Sequence, residues 1–524
     1  MEELETALGN LLAPGRLSHV DQAARLLADA IAAGERLLII ADYDADGATA
    51  CAVGLKALRA MGANVDYLVP NRFEHAYGIS PEIVREAAKK QPSLLITVDN
   101  GIAAVDGVAE ANRLGMRVLV TDHHLPGAEL PAAACIVNPN QAGCGFPSKN
   151  LAGVGVIFYV MLALRAELRR RGAFTAAAEP NLAELLDLVA LGTVADVVKL
   201  DANNRILVSQ GLARIRAGKA CAGIAALLQV SSRVPAQASA YDLGFVAGPR
   251  LNAAGRLDDM SVGIECLLAT DPGRALDLAT RLDKLNRERR EIEAGMQQSA
   301  LAIVDAVEAG ESYSLAIHRE EWHTGVVGLL ASRLKDRFHR PVFAFANDHG
   351  GRLKGSGRSI PGLHLRDALD LVDKRHPGLL ERFGGHAAAA GATLAAGGLE
   401  AFRAAFEAVA RELLTPADLE QRIETDGELA AEEITRDFAA LLKGQVWGQG
   451  FPEPRFTGRF GVEAQRVVGE RHSRLTLASG GRRFAAMLFG HAQPLPASIS
   501  AVYRLDINEY QGTSTLQLTL EHVG

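Results

Sequence analysis

The chain is poor in several things, and each absence removes a class of protein. Only five of its 524 residues are cysteine (Cys51, Cys135, Cys144, Cys221, Cys266), and none are spaced C-x-x-C. That argues against a disulfide framework or a thiolate zinc site and fits a reducing cytosol. No apolar run reaches the ~18 residues a membrane span requires. The longest, from Leu151 to Leu164, runs into the charged AELRRR and is expected to be a buried helix. The opening MEELETALGN is acidic and has no basic stretch leading into an apolar run, so no secretory leader is expected and a cytoplasmic location is. Positive charge is not in excess: 55 Lys and Arg face 62 Asp and Glu, a net charge of −7. A uniformly basic nucleic-acid coat is excluded; a local basic surface, or a carboxylate cluster that takes up cations, is not. There is no long internal repeat and no low-complexity tract.

What is present is an ordinary globular composition, 48% hydrophobic and 22% charged. At about 150 residues per domain, the length suggests three or four domains. From Glu35 an apolar β-like run, a loop of special residues and an amphipathic helix follow one another repeatedly. The runs are LLIIA (37–41), VDYLV (65–69), LLITV (94–98), RVLVT (117–121) and ACIVN (134–138). Between them lie helical stretches such as 49–62 and 80–90, the latter with Ser80 and Pro81 suited to N-cap and first position. This alternation predicts βαβ units and a parallel sheet covered on both faces. Residues 272–309 keep helical periodicity throughout and are expected to form one long helix bridging two domains. A second, smaller α/β unit begins near Ser314 with SLAIH, a helix and PVFAFA. The last hundred or so residues hold short alternating strands with Gly, Pro and Ser turns, which predicts a small antiparallel barrel of the OB type.

Three polar clusters directly follow apolar strands: Asp42, Asp44 and Asp46 in DYDADG, Asp99 in VDNG, and Asp122, His123 and His124 in TDHH. A fourth, GTVADVV with Asp196, ends an apolar helix. In an open parallel sheet the strand carboxyl ends share one edge, so these loops converge on one crevice. Crowded carboxylates repel one another and resist desolvation, which divalent cations between them relieve.

Simpler readings fail on particular residues. An EF-hand loop needs Glu at its twelfth position, and counting from Asp42 that position is Val53, behind a strand and not a helix. A D-x-D-x-T phosphatase motif counted from Asp44 meets Ala48 where it needs Thr. Alone, VDNG would serve equally as a turn with Asn100 and Gly101 at positive φ. Mixed Asp and His ligation suits Mn²⁺ or Mg²⁺, and a bridging carboxylate points to two ions. Two ions about 4 Å apart generate hydroxide and clamp attacking and leaving oxygens. The reaction class is therefore metal-assisted hydrolysis of a phosphoester or phosphoanhydride.

DYDADG, VDNG, DHH and GTVAD, in that order, resemble the four metal motifs of the DHH phosphoesterase superfamily. GPRLNAAGRLDDM (248–260), EWHTGVVGLLASRL (321–334), LKGSGRS (353–359) and FGGHAAAAG (383–391) resemble its RecJ branch of bacterial single-strand-specific 5′→3′ DNA exonucleases. WGQGFPEPRF (447–456) and GERHSRLTL (469–477) are similar to the OB domain of the same family, so the likeness runs from about residue 35 to the C-terminus. Beyond an N-terminal helical segment (1–34), which is read from the residues themselves as short helices, it implies a DHH catalytic domain (35–271), a connecting helix (272–309), a DHHA1 domain (310–415) and an OB-fold nucleic-acid-binding domain (416–524). It also makes Asp44, Asp46, Asp99, His123 and Asp196 metal ligands, with Asp99 the bridge, Asp42 joining the shell and His124 beside the scissile phosphate. Arg250, Asn252, Arg256, Arg358, Ser359 and His386 would bind DNA phosphates, including the terminal one. Cooperation with single-strand-binding protein and a RecQ-type helicase in recombination and repair is implied as well, with the enzyme a monomer.

The residues support part of this by themselves. GSGRS sets a guanidinium beside what reads as a flexible turn whose amides can face a phosphate. Asn252 and Arg256 are four apart and share a face if helical. From Arg455 to Arg483 there are seven arginines, among them Arg471 and Arg474, against two glutamates. Phe456, Phe460 and Phe484 are interleaved; a basic groove with aromatic platforms is how OB folds hold single strands, although Phe460 and Phe484 are better suited to the barrel core. Two rivals remain: a DHH phosphodiesterase of short oligoribonucleotides or cyclic dinucleotides, and a DNA-binding scaffold with a dead metal site. The first needs neither the barrel nor the long helix. The second is weakened because every ligand position is filled.

Overall fold

A computed structural model describes residues 4–70, 78–175, 178–304, 312–348, 351–395, 397–510 and 513–524. The five predicted runs become β1 (Arg36–Ala41), β2 (Asn64–Leu68), β3 (Leu94–Val98), β4 (Arg117–Thr121) and β5 (Cys135–Val137). They pair in parallel in the order β2-β1-β3-β4-β5. β3 is buried along its whole length and β1 along all but its first residue, as expected when helices cover both faces. One crossover helix, Pro81–Ala88, starts as its sequence predicts: Ser80 Oγ accepts the Ile83 amide and Pro81 takes the first position. Because β1 lies between β2 and β3, the chain leaves it in one direction and returns on the other side. That switch point opens a crevice at the strand carboxyl ends.

The chain folds as two units. One holds Met1–Asn252, Met260–Thr280 and Glu424–Gly524; the other holds Ala253–Asp259 and Arg281–Ile423. The division falls inside the predicted long helix, which runs unbroken from Pro272 to Val304 and passes through Gly295. Its 33 residues span about 50 Å at ~1.5 Å per residue. The remainder of its expected range, from 305, lies outside the described residues.

The second unit carries its own sheet of β6 (Leu315–His318), β7 (Val342–Asn347), β8 (Leu353–Arg358), β9 (Leu380–Gly385) and β10 (Ala389–Leu394), ordered β6-β7-β8-β10-β9. Only β6 and β7 are parallel. Here one expectation is corrected. GSGRS is not a flexible turn: its residues from Gly355 to Arg358 belong to β8, hydrogen-bonded to β7 on one side and β10 on the other, and Ser359 follows the strand. The glycines have a packing reason. A Cβ at Gly355 would collide with the Phe345 ring, and one at Gly357 with the Phe343 ring. The two rings, 5.7 Å apart, lie across the strand in a core that includes Phe402 and Phe406.

The C-terminal strands β11 (Phe456–Val468), β12 (His472–Ser479), β13 (Arg482–Leu488), β14 (Ser498–Tyr510) and β15 (Thr513–Val523) form a closed barrel, ordered β11-β12-β13-β15-β14. Antiparallel pairing holds except between β13 and β15, which are parallel. Phe460 and Phe484 are core, as anticipated, and so is Phe456, which therefore offers no stacking platform. Within the first unit the segment before the barrel is tied back: the Leu200 amide donates to the Gln449 carbonyl at 2.7 Å, and the Arg205 guanidinium lies 4.0 Å over the Phe451 ring. Among the described residues, no helix is long and apolar enough to cross a membrane.

Candidate metal centre

Each carboxylate reaches the crevice for a local reason. Asp42 follows the last residue of β1. Gly47, closing DYDADG, allows the loop to double back, since a Cβ there would lie 2.5 Å from the Asp42 carbonyl oxygen. Asp44 caps the Ala45–Ala60 helix by accepting the Gly47 amide at 3.0 Å. Asp46 lies in the first turn and is buried; its two oxygens accept the amides of Gly153 (2.6 Å) and Val154 (2.9 Å) at the start of the Gly153–Arg170 helix. Asp196 caps the C-terminal end of Leu186–Ala195. Asp99 follows β3 with φ of +61°, and Gly101 has φ of +111°. Asn100 is not in the left-handed region, so the strained residue in VDNG is the carboxylate itself.

The side chains converge on His123. Its Nε2 lies 3.1 Å from Asp99 Oδ1, 3.6 Å from Asp196 Oδ2 and 4.0 Å from Asp46 Oδ2. Three sets of ligand atoms fall within 4.8 Å of one another: Asp42, Asp44 and Asp99; Asp46, His123 and Asp196; and Asp99, His123 and His124. Asp99 belongs to two of these sets and joins the loop after β1 to the histidines after β4. Burial, then repulsion from Asp44, pushes Asp46 up to about 7. Burial followed by the neighbouring aspartates raises Asp99 and Asp196 well above the usual carboxylate range. A cluster that resists carrying its own negative charge, with only oxygen and imidazole donors, fits hard divalent cations.

Around this centre stand residues that hold the two histidines in place: Asp122, already part of the TDHH cluster, and Asn138 and Asn140, to which the sequence assigned no role. Asp122 is buried: its Oδ1 accepts the amides of His123 (2.7 Å) and His124 (3.1 Å) and faces His124 Nδ1 at 2.7 Å, while its Oδ2 accepts the Ile102 amide at 2.9 Å. Burial lowers His124, but the Asp122 hydrogen bond and nearby carboxylates outweigh it and raise the imidazole to about 9. Asn138 and Asn140 donate to the carbonyls of His124 (2.9 Å) and His123 (2.6 Å). The signal for them was NPN directly after β5, at the same sheet edge as the aspartates.

Of the residues expected to meet DNA, Asn252 is positioned differently. It sits in the Gly248–Leu257 helix, and its Oδ1 accepts the Ala45 amide at 2.8 Å, fixing the loop between Asp44 and Asp46. Arg250 is on the same helix, with Nη1 donating to the Val246 carbonyl at 2.7 Å. In the second unit, Arg256 donates to the Gly325 carbonyl at 3.1 Å and ties the GRLDD segment to EWHTGVVG. Arg358 is half-buried; its guanidinium donates to Ser356 Oγ (3.1 Å) and the Gly357 carbonyl (2.8 Å), and burial alone lowers its pKa. Ser359 is buried, and its hydroxyl donates to the Leu363 carbonyl at 2.8 Å. His386 lies exposed in the β9–β10 hairpin. All seven arginines between Arg455 and Arg483 are exposed.

Residues 36–193 match the DHH family, N-terminal domain; residues 310–412 match the DHHA1 domain; residues 425–522 match the RecJ OB domain. Among curated proteins, the single-stranded-DNA-specific exonuclease RecJ of Dickeya dadantii is 54% identical over 537 residues, covering 100% of this chain and 93% of that protein. The chain belongs to the RecJ family. The Escherichia coli member is 50% identical, again over 100% of this chain and 93% of its own length. A crystal structure of RecJ from Thermus thermophilus in complex with Mn²⁺ superposes with a TM-score of 0.83 at 29% identity, covering 99% of this chain and 72% of that one. Its Mg²⁺ complex gives 0.78 at 28% identity, covering 100% and 72%.

Proposed function

We propose that this chain is a metal-dependent exonuclease that hydrolyses phosphodiester bonds of single-stranded DNA from the 5′ end, releases mononucleotides and serves recombination and repair. The observation that carries the reading is Asp99. Its carboxylate belongs at once to the set with Asp42 and Asp44 and to the set with the histidines, as a ligand bridging two ions must. Asp42 and Asp44 would hold one Mn²⁺ or Mg²⁺, and Asp46, His123 and Asp196 the other, with Asp99 between them. When bound, the pair supplies a hydroxide-like nucleophile and stabilises charge on the phosphoryl oxygens. Within the chain, Asp122 fixes the orientation of the His124 imidazole through its contact with Nδ1, so that the ring would stand beside the scissile phosphate.

Grip on the strand falls to cations outside the centre. Arg250, Arg256, Arg358, Ser359 and His386 would contact backbone phosphates. Arg358 is the best placed to hold a terminal one, being a half-buried guanidinium that, among the described residues, donates to neutral oxygens within its own strand. Arg455, Arg471 and Arg474 would hold single strands on the barrel. Arg466 and Arg474 stand directly opposite each other across β11 and β12, a like-charge pair that an anionic partner would relieve. Single-strand-binding protein and a RecQ-type helicase are the partners this role implies.

The test is degradation of 5′-labelled single-stranded and duplex DNA with Mn²⁺, with Mg²⁺ and with EDTA. Metal-dependent release of labelled mononucleotide from single strands alone is expected. Equal attack on blunt duplex, or activity that survives EDTA, would overturn the reading.

A further inference from the structure

Two aromatic rings on the segment that packs against the Asp196 helix have no role in the chemistry derived so far. Tyr241 and Phe245 are 59% and 72% exposed, and Phe245 is the most exposed large apolar side chain among the described residues. Their rings stack on each other, centroids 5.1 Å apart and 23° from parallel. A single exposed apolar residue is ordinary; two rings stacked in water, unburied by anything, make a flat surface in want of a flat partner.

Their backbone carries the second observation. Residues Asp242–Ala247 form a π-turn that continues directly into the Gly248–Leu257 helix. Such turns appear mostly as single bulges and frequently at functional sites, because they re-aim side chains. This one packs on the Leu186–Ala195 helix, whose C-terminal end carries Asp196. A Cβ on Gly244 would lie 2.9 Å from Val194 Cγ1, and one on Gly248 would lie 2.9 Å from Ala195 Cβ, so the element rests on the residues just before Asp196. Seven residues beyond Phe245, a rise of about 10 Å, Asn252 grips the Ala45 amide between Asp44 and Asp46. Both ends of the element are thus fixed to the loops that carry the carboxylates.

We propose that Tyr241 and Phe245 form a stacking platform for a nucleobase of the single strand being degraded, placed where it sets the strand against the metal centre. The inference rests on the functional reading above. Bases are the flat apolar faces a single strand has to offer, and every base has one, so the contact holds the strand without selecting sequence. Arg250 on the same helix supplies a cation for the adjoining phosphate. A duplex, whose bases are already stacked on one another, gains nothing from the platform.

Strands carrying one abasic site at successive positions from the 5′ end test this. The wild-type enzyme should slow at one or two neighbouring positions, where the missing base was the one stacked, by about five- to a hundredfold. The double variant Tyr241→Ala, Phe245→Ala should degrade intact strands with KM raised by a similar factor and should lose the position-specific pause. Tyr241→Phe and Phe245→Trp should retain it. Since both rings are exposed, the unfolding midpoint should stay within about 1–2 °C. The proposal is overturned if the double variant pauses at the same positions as the wild type, or if it is slowed with no change in the abasic profile. A wild-type enzyme that degrades no single strand overturns the functional reading instead. In that case intact and abasic oligonucleotides bound with equal affinity in EDTA would dispose of the platform too.

Discussion

Gly153 stands where any side chain would strike Asp99: a Cβ built on it lies 2.6 Å from both the Cβ and Oδ1 of that aspartate. The helix that begins at Gly153 can therefore press its first amides onto Asp46 while its backbone passes close to the Asp99 carboxylate. Neither contact survives a larger residue without displacing the other. Gly153→Ala is expected to lower kcat by at least about tenfold and to destabilise the first unit by about 1–3 kcal/mol, the range for overpacking a filled interior. Steady-state hydrolysis and urea unfolding on the same preparation check both.

Asp122 faces the amides of Ile102, His123 and His124 and the His124 ring, and it stands outside the three sets of candidate ligand atoms. Asp122→Asn keeps the size but turns one acceptor into a donor facing amides and removes the charge opposite His124. Activity, or the affinity for Mn²⁺, should fall by about 10- to 100-fold, the range seen when a supporting partner of metal ligands is lost. Calorimetric titration of Mn²⁺ alongside kcat would separate the two effects.

β8 makes opposite predictions for adjacent residues. Gly357→Ala pushes a methyl into the Phe343 ring and should cost about 1–3 kcal/mol of stability whatever the substrate. Arg358→Ala should leave the melting midpoint nearly unchanged and slow hydrolysis of 5′-phosphorylated strands by about ten- to a hundredfold, the worth of one charged hydrogen bond. The loss should be smaller on 5′-hydroxyl strands. Equal slowing on both substrates would place Arg358 elsewhere along the backbone.

On the barrel, Arg474→Ala removes one member of the cross-strand pair with Arg466. Stability should hold or rise by a few tenths of a kcal/mol, while affinity for single strands falls and the slope of log K against log salt drops by about 0.7. An unchanged salt slope would exclude this arginine from the strand path.

The parallel sheet and its acidic edge were legible because apolar runs and the polar loops behind them obey a period the physics fixes in advance. The second sheet was only half legible. Its glycine-rich strands carry no alternating pattern of their own, and β8 is a strand because Phe343 and Phe345 on the neighbouring strand cover it. The ligand candidates were visible as aspartates behind strands, and Asp122 with them in TDHH, whereas Asn138 and Asn140 act through backbone carbonyls and leave no spacing signature. Asn252 was noticed for its helix position, but its hold on a main-chain amide some two hundred residues earlier has no signal in the sequence. Likewise, burial and not composition decided that Phe456 belongs to the core.

The central claim is that Asp99 bridges two ions. Mn²⁺ bound per chain, measured by equilibrium titration for the wild type and for Asp99→Ala, addresses it most directly. The account predicts two ions in the wild type and at most one in the variant, with hydrolysis abolished and single-strand binding by the barrel arginines largely intact. Two ions bound by the variant, with turnover near that of the wild type, would contradict it.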